Sequence, residues 1–315
     1  MLEQILSIFP THMRTGLRSG LAESGLEELR VRVGQPLVIR TQVQDFYWEE
    51  NYGVCTTKTE DAYCMTEKDI ADMLTYLSRY SIYAYEEELK NGFITLEGGH
   101  RVGVAGHVIM ENGQVRKMSR ISYLNIRIAH EKKECAKEIY PYLLNGKGLH
   151  HTLLMSAAGV GKTTYLRDLI RMISNGEGTG MSLRVGVVDE RSEIAASYLG
   201  IPQHDVGIHT DVMDGCSKVQ GMQMLLRSMA PQVIAVDELG GEADFQAVEQ
   251  VLNCGCSILG TIHAASIQEM MQKQRLKQWL EQEIFERFVV LGLGKNGVRQ
   301  IKIYDEKLEC LWKSS

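Results

Sequence analysis

A short glycine-rich segment at the middle of the chain has the residue types that bind phosphate groups. Its glycines let backbone N–H groups curl round an anion, a lysine reaches the β- and γ-phosphates, and a threonine hydroxyl ligates Mg²⁺. The segment departs from G-x-x-x-x-G-K-[ST] at its first position, where a small serine replaces glycine. An apolar run precedes it and a helical pattern over 165–173 follows, which favours a loop for ATP and Mg²⁺ over an incidental glycine-rich turn. The predicted nucleotide-binding residues are Ser156, Ala157, Ala158, Gly159, Val160, Gly161, Lys162, Thr163 and Thr164.

Two adjacent carboxylates follow a second apolar run, 233–236. Asp237 is predicted to hold Mg²⁺ together with Thr163, directly or through water. Glu238 is predicted to orient and deprotonate the water that attacks the γ-phosphate, a step that needs a carboxylate there. A pair of solvated acids at a strand end is the alternative. The phosphate loop upstream disfavours that alternative, because such a loop needs a metal ligand from a neighbouring strand.

Polar residues end two further apolar runs. Glu190 and Glu193 follow the run at 185–188, and we predict that they support Mg²⁺ or position water; a surface salt bridge through Arg191 is the alternative. Thr261 and His263 end the run at 258–262. At the carboxyl edge of a parallel sheet either could sense the γ-phosphate and transmit hydrolysis to the rest of the chain. The alternative for His263 is a histidine that is only satisfied by local hydrogen bonds.

The elements that must position these residues are of the α/β type. Apolar runs at 152–155, 185–188, 233–236 and 258–262 alternate with helical segments, as in a largely parallel sheet buried on both faces. We therefore predict a P-loop NTPase domain of RecA-like fold over 146–315, with two more strands near its end.

The first part of the chain, 1–145, predicts a smaller α+β domain. A strand pair lies around 29–40, and a helix over 66–80 begins with the capping-box residues Thr66 and Asp69. Gly98-Gly99 and Asn112-Gly113 mark two turns between strands. The turn-rich stretch that begins at residue 145 sets the predicted boundary.

Bulk composition limits the possible functions. The chain has 315 residues, a net charge of −6 and no Cys-x-x-Cys pair, which disfavours nucleic-acid partners, a disulfide framework and a zinc site. No apolar run approaches the roughly 20 residues of a membrane-spanning helix, and the first residues lack a signal-peptide pattern. We expect a cytoplasmic protein without direct membrane insertion.

Taken together, the motifs resemble those of the secretion ATPases, which power type II and type IV secretion and pilus retraction. That family has a Walker A loop, an acidic "Asp box", a Walker B strand and a "His box", here in the same order at 159–163, 189–193, 237–238 and 261–263. The family often has glycine before the Walker B glutamate, where this chain has Asp237. The division of work between Asp237, Glu238, Glu190 and Glu193 therefore stays open.

Nearly the whole chain resembles the stage III sporulation AA family of endospore-forming bacteria. The similar stretches are 80–89, 98–103, 122–129 and 211–216. The resemblance implies a mother-cell ATPase that works as a ring on the cytoplasmic face of a membrane complex, so its partners would be the membrane proteins of a sporulation channel. The ring is predicted to be a homohexamer.

The same resemblance implies that arginines of the first domain reach the nucleotide. Arg101 and Arg127 are the candidates, with Arg120 behind them, and a solvated surface arginine is the alternative for each. Two other functions stay open: a nucleic-acid-remodelling P-loop ATPase, which the net charge disfavours, and a nucleotide-regulated binding module with weak turnover.

Overall fold

The chain folds into two compact units, Met1–His130 and Glu131–Ser315. The predicted boundary at residue 145 therefore lies inside the second unit, because the segment before it packs there: Ala136 and Ile139 are fully buried in the core of that unit. The computed structural model describes residues 2–21, 25–49, 53–55, 60–78, 85–90, 92–146, 148–178, 180–294 and 298–314.

The first unit combines short helices with an antiparallel sheet. Its helices are α1 (Leu2–Ile8), α2 (Thr11–Leu21), α3 (Glu67–Leu77) and α4 (Glu86–Lys90), and its strands are β1 (Leu26–Arg32), β2 (Val38–Thr41), β3 (Asp45–Glu49), β4 (Gly53–Cys55), β5 (Phe93–Thr95), β6 (Arg101–Glu111) and β7 (Gln114–Arg127). The strands lie in the order β4-β3-β2-β1-β7-β6-β5. One apolar cluster joins helices and sheet, with Ile5, Met13 and Met73 from the helices against Leu29 and Ile126 from the strands.

Local signals in the first unit agree with the predicted elements. The Thr66 hydroxyl accepts the backbone N–H of Asp69 at 3.1 Å, and the Asp69 carboxylate accepts the N–H of Thr66 at 2.8 Å, which is the predicted capping box. The helix ends at Leu77, and the last predicted position, Tyr80, lies outside the described residues. Asn112 and Gly113, both with positive φ, form the tight turn between β6 and β7.

The second unit contains the predicted P-loop NTPase fold. In chain order it has a 3-10 helix (Tyr140–Leu143), β8 (Leu144–Asn145), β9 (Gly148–Leu149), β10 (Thr152–Ser156), α5 (Lys162–Asn175), β11 (Val185–Asp189), β12 (Thr210–Asp214), α6 (Lys218–Ser228), β13 (Val233–Val236), α7 (Glu242–Asn253), β14 (Ser257–His263), α8 (Ile267–Gln272), α9 (Gln274–Glu281), β15 (Arg287–Leu293), β16 (Arg299–Tyr304) and β17 (Cys310–Lys313). The main sheet has the order β12-β11-β13-β14-β10-β15-β16-β17. Its pairings are parallel from β12 to β15 and antiparallel for the last two strands.

Both faces of this sheet are buried, which explains its continuous apolar runs. Within β10, Leu154 belongs to one apolar cluster, while Leu153 and Met155 belong to another on the opposite face. All four predicted runs form strands, and the prediction of a largely parallel α/β sheet is confirmed. β12 is an additional strand, and its residues are only partly buried or exposed.

The topology brings the polar strand ends to one edge. Parallel strands β10, β11, β13 and β14 have their carboxyl ends there, so Ser156, Asp189, Asp237 and His263 lie along that edge. β16 runs in the opposite direction and pairs Arg299 with Leu293, the last residue of β15. Arg299 therefore begins its strand at the same edge.

Helix α5, which follows the glycine-rich loop, is the longest helix in the described part of the chain. It has 14 residues, and most of them are buried. No helix within the described ranges combines the length and the apolar character that crossing a bilayer requires.

Candidate active site

The glycine-rich loop connects the end of β10 to the start of α5. Gly159 and Gly161 have φ of 76° and 110°, a left-handed region that glycine adopts without steric cost. Gly161 is the N-cap of α5 and no described side chain caps this end of the helix. The first N–H groups of α5 therefore point, uncapped, to the place where an anion is stabilised by the helix dipole.

Asp237 is held at the mouth of this loop by two hydroxyl groups. The Thr163 hydroxyl donates to its Oδ2 at 2.7 Å, and the Thr261 hydroxyl donates to its Oδ1. Thr261 is fully buried, so the carboxylate is fixed from the β14 side as well as from α5. The two predicted metal ligands, Thr163 and Asp237, are thus in direct contact.

Glu238 leaves the end of β13 with an unusual backbone conformation. Its φ is 54°, a left-handed value that is uncommon for a residue with a side chain. Thr261 stabilises this turn twice: its hydroxyl accepts the N–H of Glu238 at 2.9 Å, and its carbonyl accepts the N–H of Leu239 at 2.8 Å. Neighbouring strand β14 therefore fixes the direction in which the Glu238 carboxylate points.

A line of hydrogen bonds joins the loop lysine to this carboxylate. Lys162 Nζ lies 3.1 Å from Nδ1 of His263, and His263 Nε2 lies 2.9 Å from Glu238 Oε1. An ammonium group can only donate, so Nδ1 accepts, the imidazole proton is on Nε2, and His263 donates to Glu238. Arg191 closes the line with an ion pair of 3.1 Å to the other oxygen of Glu238.

The electrostatics of the line follow from these contacts. The hydrogen bond from His263 is the largest influence on Glu238 and lowers its pKa; partial burial opposes this, and the charge of Arg191 adds to it. Burial lowers the pKa of Lys162, and the carboxylates of Asp237 and Glu238 counteract that effect. A carboxylate with a lowered pKa is ionised at neutral pH, which a proton acceptor must be.

The acidic segment after β11 is a tight turn built on Asp189. This residue is 1% exposed and accepts three backbone N–H groups, from Glu193 at 2.7 Å, Ile194 at 3.0 Å and Ala195 at 2.8 Å. Burial raises the pKa of Asp189 to about 6, although the three N–H groups lower it. Asp189 therefore shapes the turn that presents its neighbours.

The two glutamates predicted in this turn lie beside Asp237 and Glu238. Lys218 of α6 forms an ion pair with Oε2 of Glu190 at 2.6 Å. Arg167 of α5 donates a hydrogen bond to the backbone carbonyl of Glu193 at 2.7 Å. A cavity of 20 Å³, room for about one water molecule, separates the acidic ends of β11 and β13. Its lining residues are Asp189, Glu190, Arg191, Glu193, Lys218, Asp237 and Glu238.

The predicted arginines Arg101 and Arg127 belong to the first unit. They are cross-strand neighbours on β6 and β7, and the guanidinium of Arg101 lies 3.5 Å from the centre of the Phe93 ring. Arg127 is exposed. Their role at a nucleotide stays a prediction.

Sequence reasoning missed two basic residues of the second unit. Lys218 binds Glu190, and Arg299 lies against the loop: a Cβ added to Gly161 would come within 3.1 Å of its Nη2. Both come from elements remote in sequence from the motif they contact, so no spacing pattern indicated them. Arg299 begins one of the two strands predicted near the end of the chain, but nothing in the sequence indicated that only β15 would separate that strand from β10.

These residues fit a magnesium nucleotide. Mg²⁺ binds through one or two protein oxygens and completes its octahedron with phosphate oxygens and water. Thr163 and Asp237 offer such oxygens next to the uncapped end of α5, and Lys162 lies within hydrogen-bond reach of His263 at the same place. These are the donor types that a phosphate group with a metal ion beside it would require.

Solved structures share this architecture. The X-ray structure of the Legionella pneumophila ATPase DotB superposes with a TM-score of 0.58 and 14% identity, covering 93% of this chain and 80% of that chain. The crystal structure of the pilus retraction motor PilT with bound ADP gives a TM-score of 0.61 and 15% identity, over 91% and 81%. At these identities the likeness shows the fold.

Sequence similarity identifies the family. Stage III sporulation protein AA of Bacillus subtilis (strain 168) is 38% identical over 307 residues, which cover 97% of this chain and 95% of that protein. Residues 1–311 match the protein family described as "Sporulation stage III, protein AA". The resemblance seen in the sequence is thereby confirmed, and the chain belongs to the Sporulation stage III, protein AA family.

Proposed function

We propose that this protein is an ATPase that binds ATP with Mg²⁺ at the loop from Ser156 to Thr164. The observation that supports this most is the continuous line from Lys162 through His263 to Glu238, beside the contact of Thr163 with Asp237. Such an arrangement joins a phosphate-binding cation, a metal site and an ionised carboxylate within one edge of the sheet.

In this proposal Glu238 is the general base. Its lowered pKa keeps it ionised, and its carboxylate follows the left-handed turn that Thr261 stabilises and contacts His263. It accepts a proton from water as that water attacks the γ-phosphate. Bound Mg²⁺ supplies charge neutralisation to the phosphates. Glu190 is the weaker candidate, because its carboxylate pairs with Lys218 of α6, whereas the carboxylate of Glu238 is linked through His263 to the loop lysine.

His263 connects occupancy of the loop to the base. Lys162 donates to Nδ1 of His263 in this structure, and a bound triphosphate competes for the same ammonium protons. When Lys162 turns to the phosphates, the imidazole loses the donor that fixes its tautomer. Because its other nitrogen contacts Glu238, we propose that the histidine reports the γ-phosphate to the rest of the chain.

Family membership supports a biological setting for this activity. We propose that the protein works during endospore formation as a homohexameric ring in the mother-cell cytoplasm, docked on membrane proteins of a channel complex. The PilT and DotB folds belong to a motor and an ATPase, as their names state. In the ring, Arg101 or Arg127 would complete a nucleotide site and stabilise charge on the transferring phosphoryl group.

Phosphate release by the purified protein tests the proposed activity. We expect turnover of ATP with Mg²⁺ that stops when EDTA removes the metal. A membrane-protein partner should stimulate it, and single-stranded DNA should not, because the net charge of −6 gives no attraction to a phosphate backbone. Stimulation by the DNA alone would favour the nucleic-acid-remodelling alternative. Absence of any Mg²⁺-dependent turnover or binding would reject the ATPase.

The ring is tested separately. Light scattering of the Glu238→Gln variant with ATP and Mg²⁺ should give a mass several times 35.4 kDa. Arg101→Ala or Arg127→Ala should lower turnover more than ATP affinity, since such an arginine acts on the transition state. Mixing either variant with Lys162→Ala protein should restore some activity if the arginine acts between subunits. A strictly monomeric protein, or no restoration from folded and assembled variants, would contradict this part.

A further inference from the structure

Arg299 places a positive charge against the phosphate loop, and no carboxylate of the described residues forms an ion pair with it. Its Nη2 lies 3.1 Å from the Cβ position of Gly161, and its guanidinium carbon lies 5.7 Å from the centre of the Tyr165 ring. Its Nη1 is fully buried and has no hydrogen-bond partner among the described residues. A partly buried charge without a counter-ion is costly to a fold, so this position needs an explanation.

Neighbouring arginines show what a satisfied guanidinium looks like in this unit. Those of α5 and of the acidic turn all have acceptors: Arg167 (carbonyls of Glu193 and Ile194), Arg171 (Asp168) and Arg191 (Glu238). Arg299 differs from them because the described part of the chain provides it with the neutral side chain of Tyr165 and with a glycine, and with no carboxylate.

The sheet order places Arg299 on a defined side of the loop. β13 and β14, which end in Glu238 and His263, lie on one side of β10, and β15 and β16 lie on the other. A triphosphate whose γ end lies at Glu238 must extend away from β13 along the loop. Its α- and β-phosphates then lie toward the β16 side, where Arg299 begins its strand.

We propose that Arg299 is a nucleotide-positioning residue whose counter-ion is the α- and β-phosphate part of the bound nucleotide. The inference rests on the proposed nucleotide binding. It adds a residue that binds the phosphates farthest from Glu238. ATP and ADP share these phosphates, so Arg299 binds both alike. An interaction that is equal in ground state and transition state changes KM and leaves kcat unchanged.

Titration of ATP and ADP into the full-length protein tests this. Arg299→Gln should raise both dissociation constants by about tenfold to a hundredfold, the range for a hydrogen bond to a charged group. Arg299→Lys should recover part of the loss, because it keeps the charge. Lys302→Gln is the matched control: it removes one positive charge from an exposed position on the same strand and should leave both constants unchanged.

A second measurement separates electrostatics from structural support. The melting temperature of nucleotide-free Arg299→Gln should equal or exceed that of the wild type, since an uncompensated charge is removed, while the added stabilisation by ADP should shrink. Wild-type affinity in Arg299→Gln, or a lower melting temperature that Arg299→Lys does not restore, would overturn the inference. A wild-type protein that binds neither nucleotide would reject the proposed function itself, and this inference with it.

Discussion

Replacing Glu238 by glutamine removes the proposed base and keeps its shape. Loss of a general base costs about 10²- to 10⁴-fold in rate, or roughly 2.7 to 5.4 kcal/mol of barrier at 1.36 kcal/mol per tenfold. Structure is little affected: the amide oxygen still accepts from His263, and the lost ion pair with Arg191 joins side chains that are 32% and 63% exposed. Exposed pairs contribute about 0–1 kcal/mol, so the fold should remain.

The assay compares single-turnover hydrolysis with nucleotide binding. Glu238→Gln should bind ATP with Mg²⁺ about as well as the wild type, and hydrolyse it at least about a hundredfold more slowly. Glu190→Gln is the control, since Glu190 lines the same small cavity but is held by Lys218. If Glu238→Gln retained its turnover while Glu190→Gln or Glu193→Gln lost it, the base would be in the acidic turn and the proposed role of Glu238 would be refuted.

Further predictions concern the residues that position this base. His263→Ala removes the contact that most lowers the pKa of Glu238, so that pKa should rise. The acid limb of the plot of kcat against pH should then move to higher pH. An acid limb at the wild-type pH would contradict the influence of His263 on Glu238. Asp189→Ala leaves three backbone N–H groups without their acceptor. At about 1 kcal/mol for each hydrogen bond, urea unfolding should show a free energy of unfolding lower by about 3 kcal/mol. A decrease below about 0.5 kcal/mol would contradict the structural role of Asp189. Thr261→Val deletes the hydroxyl that contacts Asp237 and the Glu238 N–H. We expect about 1–3 kcal/mol of destabilisation and weaker binding of ATP with Mg²⁺. A calorimetric affinity and a stability equal to those of the wild type would contradict this role of Thr261.

Much of the fold followed from patterns with a direct physical cause. Strands β10, β11, β13 and β14 were predicted because burial on both faces leaves uninterrupted apolar runs. α3 was predicted from its capping box, which the structure forms with the expected partners. β12 was missed because its residues are partly exposed and show neither an apolar run nor clean alternation.

The sequence predicted which strand ends form the site, but it did not predict the hydrogen bonds between their side chains. That Asp237 and His263 meet at one edge follows from parallel strands. Two features did not follow: the donation from His263 to Glu238 and the left-handed turn at Glu238, because both depend on how β13 and β14 pair. Arg299 is separated from the loop by most of the second unit in sequence, and only the strand order β10-β15-β16 brings it there.

The position of the domain boundary is a further feature that the local sequence does not indicate. A turn-rich stretch at 145–148 is a reasonable sequence boundary, yet the preceding segment is anchored in the second unit. The Asp168 carboxylate on α5 accepts the N–H groups of Glu134 at 3.1 Å and Ala136 at 2.9 Å. Such side-chain acceptors for a remote backbone leave no trace in local sequence composition.

Calorimetric titration of ATP with Mg²⁺ into the wild type and Lys162→Ala tests the central claim most directly. Lys162 is 6% exposed and contacts His263 at the mouth of the loop, where its ammonium group would pair with the proposed phosphates. The wild type should bind one nucleotide per chain, and Lys162→Ala should lose most of that affinity while unfolding at a similar temperature. Equal affinity in the two proteins, or no binding by the folded wild type, would contradict the assignment of this loop as a nucleotide site.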